Sequence, residues 1–318
     1  MTKNDRFPRL SNTFLEAVKF AFDAHSQQTR KGTDNPYIGH PLHAAAIVLD
    51  AGGVEDLAIA ALLHDVVEDQ GGEPMLHPQF FAMVELVCAR GAQLKIETNG
   101  HYLSVENCAR MKALGVKAVQ VSLDGASAAT FNRMRVRGNF DTTVEGLENL
   151  RAAGVPVEIN FSPARFNVHE IGAIVDLAYE LGAYSFYTGR TMYTGNAVKA
   201  WRHLEVPDSQ YNAFFDVLRT KTEEYRGRMR VHFHEAGLLE ELRYRLQHPA
   251  ALLIVLPNGL VKLINALPFI CGDFRRQTLL EIWANFRRAW HDPRVAQFVE
   301  DLAADPGSTR TLHQWVYL

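Results

Sequence analysis

The chain has 318 residues, 47 % of them hydrophobic and 22 % charged, with a formal net charge of −3 at pH 7. That composition supplies a sizeable core and excludes wholesale disorder, and the mild acidity excludes the basic footprint of a DNA- or RNA-binding protein. No apolar run approaches the roughly 20 residues that span a bilayer, and the opening MTKNDRFPRL lacks a secretory pattern.

The first seventy residues read as helix. Phe14, Ala17, Val18, Ala21 and Phe22 repeat at helical spacing over 14–28, and two further apolar helices follow, His40–Ala51 and Val54–Asp69. Between the first two lies a turn-rich loop from Lys31 to Pro41. After Gly71-Gly72 the pattern changes. Strands are expected at Leu94–Thr98, Ala118–Asp124, Val155–Phe161 and Tyr184–Thr188, with helices near 77–90, 103–114, 141–153 and 168–181 between them. Repeated strand–loop–helix units predict parallel strands with right-handed crossovers, as an open sheet or part of a barrel. The tail predicts a hairpin, Leu252–Leu256 and Leu260–Ile264 around Pro257-Asn258-Gly259, and then a helix, Leu279–Trp290. His232 and His234 alternate in Val231–Glu235 and are expected on a polar strand face. The basic clusters Arg133, Arg135 and Arg137, Arg275-Arg276 and Arg287-Arg288 are expected to be solvated. The three cysteines, Cys88, Cys108 and Cys271, are too scattered for a disulfide framework or a zinc motif, which predicts reduced thiols in a cytoplasmic protein.

One N-terminal cluster carries chemistry. On a single helix His64 and Glu68 are four apart, as are Asp65 and Asp69, so the four share an arc, and His40 precedes them. Imidazole with carboxylate suits a divalent metal, which activates water and clamps a phosphate oxygen; the same residues otherwise form a solvated acidic face. Together with Arg30-Lys31, Pro36-Tyr37-Ile38-Gly39-His40-Pro41-Leu42 and Ala61–Asp69, this segment resembles the HD phosphohydrolases, in particular the branch that hydrolyses guanosine tetraphosphate (ppGpp). The resemblance implies His40, His64 and Asp65 as ligands of a divalent metal such as Mn, Glu68 and Asp69 as the catalytic acidic pair, and Arg30 and Lys31 beside a nucleotide. The pattern stops near Gly72, before the later aspartate ligand of that family.

Gly71-Gly72-Glu73-Pro74, followed by Met75-Leu76-His77-Pro78, resembles the radical S-adenosylmethionine (radical SAM) family. Glu97-Thr98-Asn99-Gly100, Ser122-Leu123-Asp124-Gly125 and Asn160-Phe161-Ser162-Pro163 agree in order, each at a strand C-terminal end. The tail, with Gly272-Asp273-Phe274 and Leu280-Glu281-Ile282-Trp283, resembles that family's SPASM or twitch extension. The resemblance implies a cofactor-binding set of Gly71, Gly72, Glu73, Pro74, Asn99, Ser122 and Asp124, with S-adenosylmethionine and a [4Fe–4S] cluster as cofactors and a peptide or nucleoside as partner. The CxxxCxxC loop that would ligate the cluster is missing.

The expected fold is therefore α/β: an HD-type helical segment over 1–70, a partial parallel (β/α) barrel of radical SAM type over 71–228, and a SPASM/twitch-like extension over 229–318. The two truncated domains read as joined through Gly71-Gly72. The expected function is a radical SAM-like protein that does no radical chemistry and retains S-adenosylmethionine or peptide binding. The alternatives are a metal-dependent HD phosphohydrolase acting on nucleotides and a non-catalytic composite or interaction protein.

Overall fold

The computed structural model describes residues 10–24, 38, 42–43, 45–46, 49, 73–135, 138–193, 197–256, 258–305 and 315–318. The chain divides into two compact units, Met1–Phe81 and Ala82–Leu318.

In the first unit the helix Asn12–Ala24 buries Ala17 and Ala21 with Ala45, and Phe14, Val18 and Ile38 pack around them. Phe14, Ala17, Val18 and Ala21 are positions the helical spacing selects, whereas Phe22, selected with them, is 56 % exposed. Further along, Glu73 caps a short 3₁₀ turn, Pro74–Leu76, by accepting the Met75 N–H at 3.2 Å. Proline at the first position of that turn forfeits no bond.

The second unit is built on five parallel strands, β1 (Lys95–Thr98), β2 (Ala118–Ser122), β3 (Val157–Asn160), β4 (Ala183–Gly189) and β5 (Arg230–His234), in sequential order. The four strands expected of the repeated units are all present, and β5 is the polar-faced strand expected at Val231–Glu235. It pairs with β4, so the parallel sheet continues past the 228/229 division expected between barrel and extension. Among the described residues β1 has β2 as its sole partner, which leaves it at the sheet edge.

The first two crossovers are started and stopped by local chemistry. Ser104, Ser127 and Asn139 cap the helices Val105–Ala113, Ala128–Met134 and Phe140–Ala153 with their side-chain oxygens. Gly154 ends the last of these in the left-handed region (φ 69°), which turns the chain into β3.

The strand pattern sorts the sheet into two chemically different faces. Val119, Val121, Val157, Ile159 and Phe186 lie on one face, each no more than 2 % exposed. Helices cover this side: Phe214 and Phe215 of the helix Asp208–Glu224 meet Phe161 and Phe233, and the helix Ile171–Glu180 packs on β4. The opposite face carries Lys95, Glu97, Gln120, Ser122, Glu158, Asn160, Ser185, Tyr187, Arg230, His232 and His234, which the register places side by side.

The C-terminal part has its own core, centred on Leu242, Val261, Leu263, Phe286, Trp290 and Val299. The expected hairpin is β6 (Ile254–Val255) with β7 (Leu260–Lys262), and β8 (Phe269–Asp273) and β9 (Val316–Tyr317) extend it to four strands. Thr278 and Glu281 form a reciprocal capping box that starts the expected helix, Leu279–Ala289.

Candidate functional site

At the C-terminal ends of β1 to β4 the loops are held by side chains that bond to backbone. Thr98 Oγ1 accepts the Gly100 N–H at 3.1 Å, and Asn99 Oδ1 accepts the His101 N–H at 2.9 Å, which makes a tight turn after β1. Asp124, after β2, is 1 % exposed. One of its oxygens accepts Arg135 Nε at 2.7 Å and the other the Ser162 N–H at 2.8 Å, so a single carboxylate ties the β2 loop to the β3 loop. Asn167 completes the tie by donating from Nδ2 to the carbonyls of Asp124 and Ser162, at 3.0 and 3.1 Å. Glu170 accepts the Ala126 N–H at 2.9 Å and the Thr130 hydroxyl at 2.6 Å. These bonds turn the β2 and β3 loops into one fixed rim.

Below that rim, Ser122, Asn160, Tyr187 and His232 form a row in register across β2 to β5. Ser122, Asn160 and Tyr187 are half-buried and His232 is exposed. His232 stacks on Tyr187 with ring centroids 4.8 Å apart. Among the described residues none of the four side chains has a hydrogen-bond partner on its polar atoms. A hydroxyl, a carboxamide, a phenol and an imidazole thus face the same side with bonding capacity to spare.

In the next row toward the strand starts Glu158 is satisfied and Ser185 is not. Buried Glu158 accepts from Lys95 Nζ at 2.8 Å and from the Tyr184 hydroxyl. Burial, reinforced by that bond to Glu158, pushes the Tyr184 phenol up to about 12. Ser185, wholly buried, has no hydrogen-bond partner for its hydroxyl among the described residues.

Of the cofactor-binding residues implied by the resemblance, Asn99, Ser122 and Asp124 come together at the C-terminal edge of β1 and β2, although Asp124 spends both carboxylate oxygens on the loops. Glu73 and Pro74 belong to the first unit, and Gly71 and Gly72 lie outside the described residues. Arg30, Lys31, His40, His64, Asp65, Glu68 and Asp69 also lie outside them, as does Arg137 of the basic clusters. Among the described residues no three His, Cys, Asp or Glu side chains converge as a metal site. Asn160, Tyr187 and His232 were not in the expected set. The signal for them was the polar–apolar alternation of Ser185–Tyr187 and of Arg230–His234, which marks one face of each strand.

The cluster that this kind of barrel implies does not fit the thiols of this chain. Cys108 and Cys271 are buried, 0 % and 4 % exposed, and burial pushes each thiol up to about 11, so both stay protonated. Cys108 sits in the helix Val105–Ala113, Cys271 in β8 with its Sγ donating to the Val261 carbonyl, and Cys88 in the helix Phe80–Ala89. Cluster ligation needs thiolates that converge, and these three belong to separate elements.

The comparison with known proteins agrees with the sheet. Residues 47–178 match the family model of the Radical SAM superfamily. The AdoMet-dependent heme synthase of Methanosarcina barkeri is 27 % identical over 253 residues, which cover 71 % of this chain and 70 % of that protein. The mycofactocin maturase MftC of Mycobacterium ulcerans is 35 % identical over 154 residues, covering 48 % of this chain and 42 % of the maturase. Streptococcus suis SuiB bound to S-adenosylmethionine shares the fold with a TM-score of 0.53 at 11 % identity, over 80 % of this chain and 60 % of SuiB. SuiB bound to its precursor peptide SuiA gives 0.52 at 10 % identity, over 67 % and 52 %. The chain thus spans 70 % of the heme synthase and 42 % of the maturase. The family match begins at residue 47, ahead of the expected start at Gly71, and takes in His64, Asp65, Glu68 and Asp69. Nothing in these likenesses supports a separate phosphohydrolase segment. The likeness to the Radical SAM superfamily thus rests on residues 47–178, within the parallel-sheet part and the segment before it.

Proposed function

We propose that this chain binds S-adenosylmethionine, or a nucleoside like it, on the polar face of the parallel sheet, and that it does so without ligating a [4Fe–4S] cluster. The observation that supports the reading is the row Ser122, Asn160, Tyr187 and His232, whose polar atoms find no hydrogen-bond partner among the described residues. Asn160 offers both a donor and an acceptor to a ribose or base edge. The Tyr187 ring, stacked on His232, offers an aromatic surface. S-adenosylmethionine supplies a sulfonium centre when bound, and this chain's part is to hold and orient it. Asp124 acts through the loops it ties, as a positioning residue. A precursor peptide is the partner class in this reading, because SuiB binds one on the same fold. Three free cysteines suit the reducing cytoplasm. The hairpin and helix at 254–289 are read as the SPASM/twitch-like extension.

Calorimetric titration of the purified protein with S-adenosylmethionine tests the proposal. Asn160→Ala removes one neutral hydrogen-bonding group, about 0.5–1.5 kcal/mol, which weakens binding about two- to tenfold. Glu73→Ala in the same titration tests the role that the resemblance implies for the Gly71–Pro74 segment. Absence of binding, or equal affinity in Asn160→Ala and in Tyr187→Ala, overturns the reading. Anaerobic reconstitution with iron and sulfide tests the cluster separately: a charge-transfer absorbance with cleavage of S-adenosylmethionine refutes the inactivity proposed here. The phosphohydrolase alternative rests on its sequence pattern alone, and it requires manganese-stimulated phosphate release that His64→Ala abolishes.

A further inference from the structure

The opposite end of the same sheet carries a feature that the proposed ligand site does not use. At the N-terminal ends of β2 to β5 lies an open basin of about 520 Å³. Its polar lining comes from Lys117, Arg151, Arg230 and Tyr184, and Val155 and Pro156 give it an apolar floor. Among the described residues no carboxylate lines it. Lys117, Arg151 and Arg230 are all exposed, and among the described residues none of them makes an ion pair. Their other contacts leave the charge unneutralised. Arg151 Nη1 donates to the Glu180 backbone carbonyl at 3.2 Å, and the Arg230 guanidinium stands 5.4 Å from the centre of the Tyr184 ring. Glu158 behind Tyr184 is already committed to Lys95.

The three cations are spread over the basin. Lys117 immediately precedes β2 and Arg230 opens β5. Neighbouring strands lie about 4.8 Å apart, which makes about 14 Å across the sheet. The register sets Arg230 level with Gln120, three residues or about 10 Å beyond Lys117, so their backbones stand about 17 Å apart. Arg151 enters from the helix Phe140–Ala153, its guanidinium reaching the Glu180 carbonyl and its stem lying against Gly182 just before β4. An extended peptide rises about 3.4 Å per residue, so a segment of about five or six residues spans that separation.

We propose that this basin binds an extended acidic peptide segment, with its carboxylates paired to Lys117, Arg151 and Arg230. The small residues between the carboxylates rest on Val155 and Pro156. Such a segment is held at the end of the sheet away from the row Ser122–His232, so its binding is independent of the S-adenosylmethionine reading.

The test is fluorescence anisotropy of the full chain with a labelled Glu-Ala-Glu-Ala-Glu peptide, its Gln-Ala-Gln-Ala-Gln counterpart, and unlabelled pyrophosphate as competitor. The expected results are saturable binding of the glutamate peptide, at least tenfold weaker binding of the glutamine peptide, and marked weakening as salt rises from about 0.05 M to about 0.3 M. Arg230→Ala and Arg151→Ala each reduce affinity about three- to tenfold, and Arg230→Lys restores most of it. All three side chains are exposed, and circular dichroism confirms that the variants fold. Equal binding of the two peptides, no effect of the substitutions, or displacement by pyrophosphate at the concentration that suffices for the acidic peptide itself overturns the proposal. The last of these reports a single-oxyanion site instead.

Discussion

The substitution Asp124→Ala probes how the loop rim is held. The carboxylate is 1 % exposed and serves two loops at once, accepting Arg135 Nε at 2.7 Å and the Ser162 N–H at 2.8 Å. Deleting it strands a backbone donor and a cation together. Hydrogen bonds to a charged group contribute about 1.5–3 kcal/mol each, and breaking a buried pair costs about 3–5 kcal/mol. The Arg135 side chain is 30 % exposed and rehydrates in part, which places the loss at the lower end, about 3 kcal/mol. Asp124→Asn keeps an acceptor for Ser162 and gives up only the charge, so its cost is about 1–2 kcal/mol. Urea unfolding followed by tryptophan fluorescence reads the total. Amide exchange at Ser162 reads the local effect, where 3 kcal/mol corresponds to about a hundredfold faster exchange. An Asp124→Ala protein within about 0.5 kcal/mol of the parent, with Ser162 still protected, would refute the idea that this carboxylate fixes the rim.

Thiol labelling of the native protein at pH 8 is expected to modify Cys88 alone, since burial keeps Cys108 and Cys271 protonated with thiols near 11; rapid reaction of all three contradicts the buried placement. Gly125→Ala puts a methyl 2.4 Å from the Phe131 backbone nitrogen, which cannot step aside, and costs about 1–3 kcal/mol. Gly237→Ala, with open space around it, serves as the near-neutral control in the same melt. Tyr184 and Tyr225 are both pushed up to about 12, in each case by burial first and then by the carboxylate that the hydroxyl bonds, Glu158 and Asp176. Unfolded phenols ionise near ~10, so the folded state holds these protons more tightly. The stability linked to them is complete below about pH 10 and is lost as pH rises toward 12. A tyrosinate absorbance titration in which Tyr184→Phe and Tyr225→Phe remove no late-titrating phenol excludes this assignment.

The sequence disclosed the sheet because its strands are short β-branched runs set between capped helices. Val119, Val121, Val157 and Ile159 announce themselves by burial chemistry, and Ser104, Ser127 and Asn139 mark where each helix begins. Strand β5 was harder to place, because Arg230, His232 and His234 make its polar face as conspicuous as its apolar one and the strand reads as a surface feature. The helix Asp208–Glu224 was not anticipated, although Tyr211, Phe214, Phe215 and Leu218 sit at helical spacing and are buried. Strand β8 was hidden for another reason. No Asn-Gly turn signal joins Phe269–Asp273 to β7, so the pairing shows only in the register. The site was legible only in part. Asn99, Ser122 and Asp124 follow strands, as the loop grammar requires, but which side chains keep free bonding capacity depends on cross-strand register. Ser122, Asn160, Tyr187 and His232 come from four strands and become neighbours only when the sheet forms.

That register also explains why one sheet face can serve two ends. In a parallel sheet every strand starts at the same edge, so like positions of successive units stack into rows across the strands. Near the strand starts the sheet and the helix Phe140–Ala153 bring Lys117, Arg151 and Arg230 to one basin, and near the strand ends the stacking collects uncharged hydrogen-bonding groups. In the same register row as Arg230 lies Glu158, buried, paired with Lys95 and bonded by the Tyr184 hydroxyl. An unpaired carboxylate at that depth would cost several kcal/mol and would draw the nearby cations inward. With Lys95 supplying the counter-charge, Arg230 stays at the basin, over the Tyr184 ring. Lys95→Met therefore frees Glu158 to recruit Arg230, and the basin should lose affinity for the acidic peptide while the four-residue row above keeps its geometry. If the substitution weakens S-adenosylmethionine and peptide binding alike, the two ends are coupled and the separation argued here does not hold.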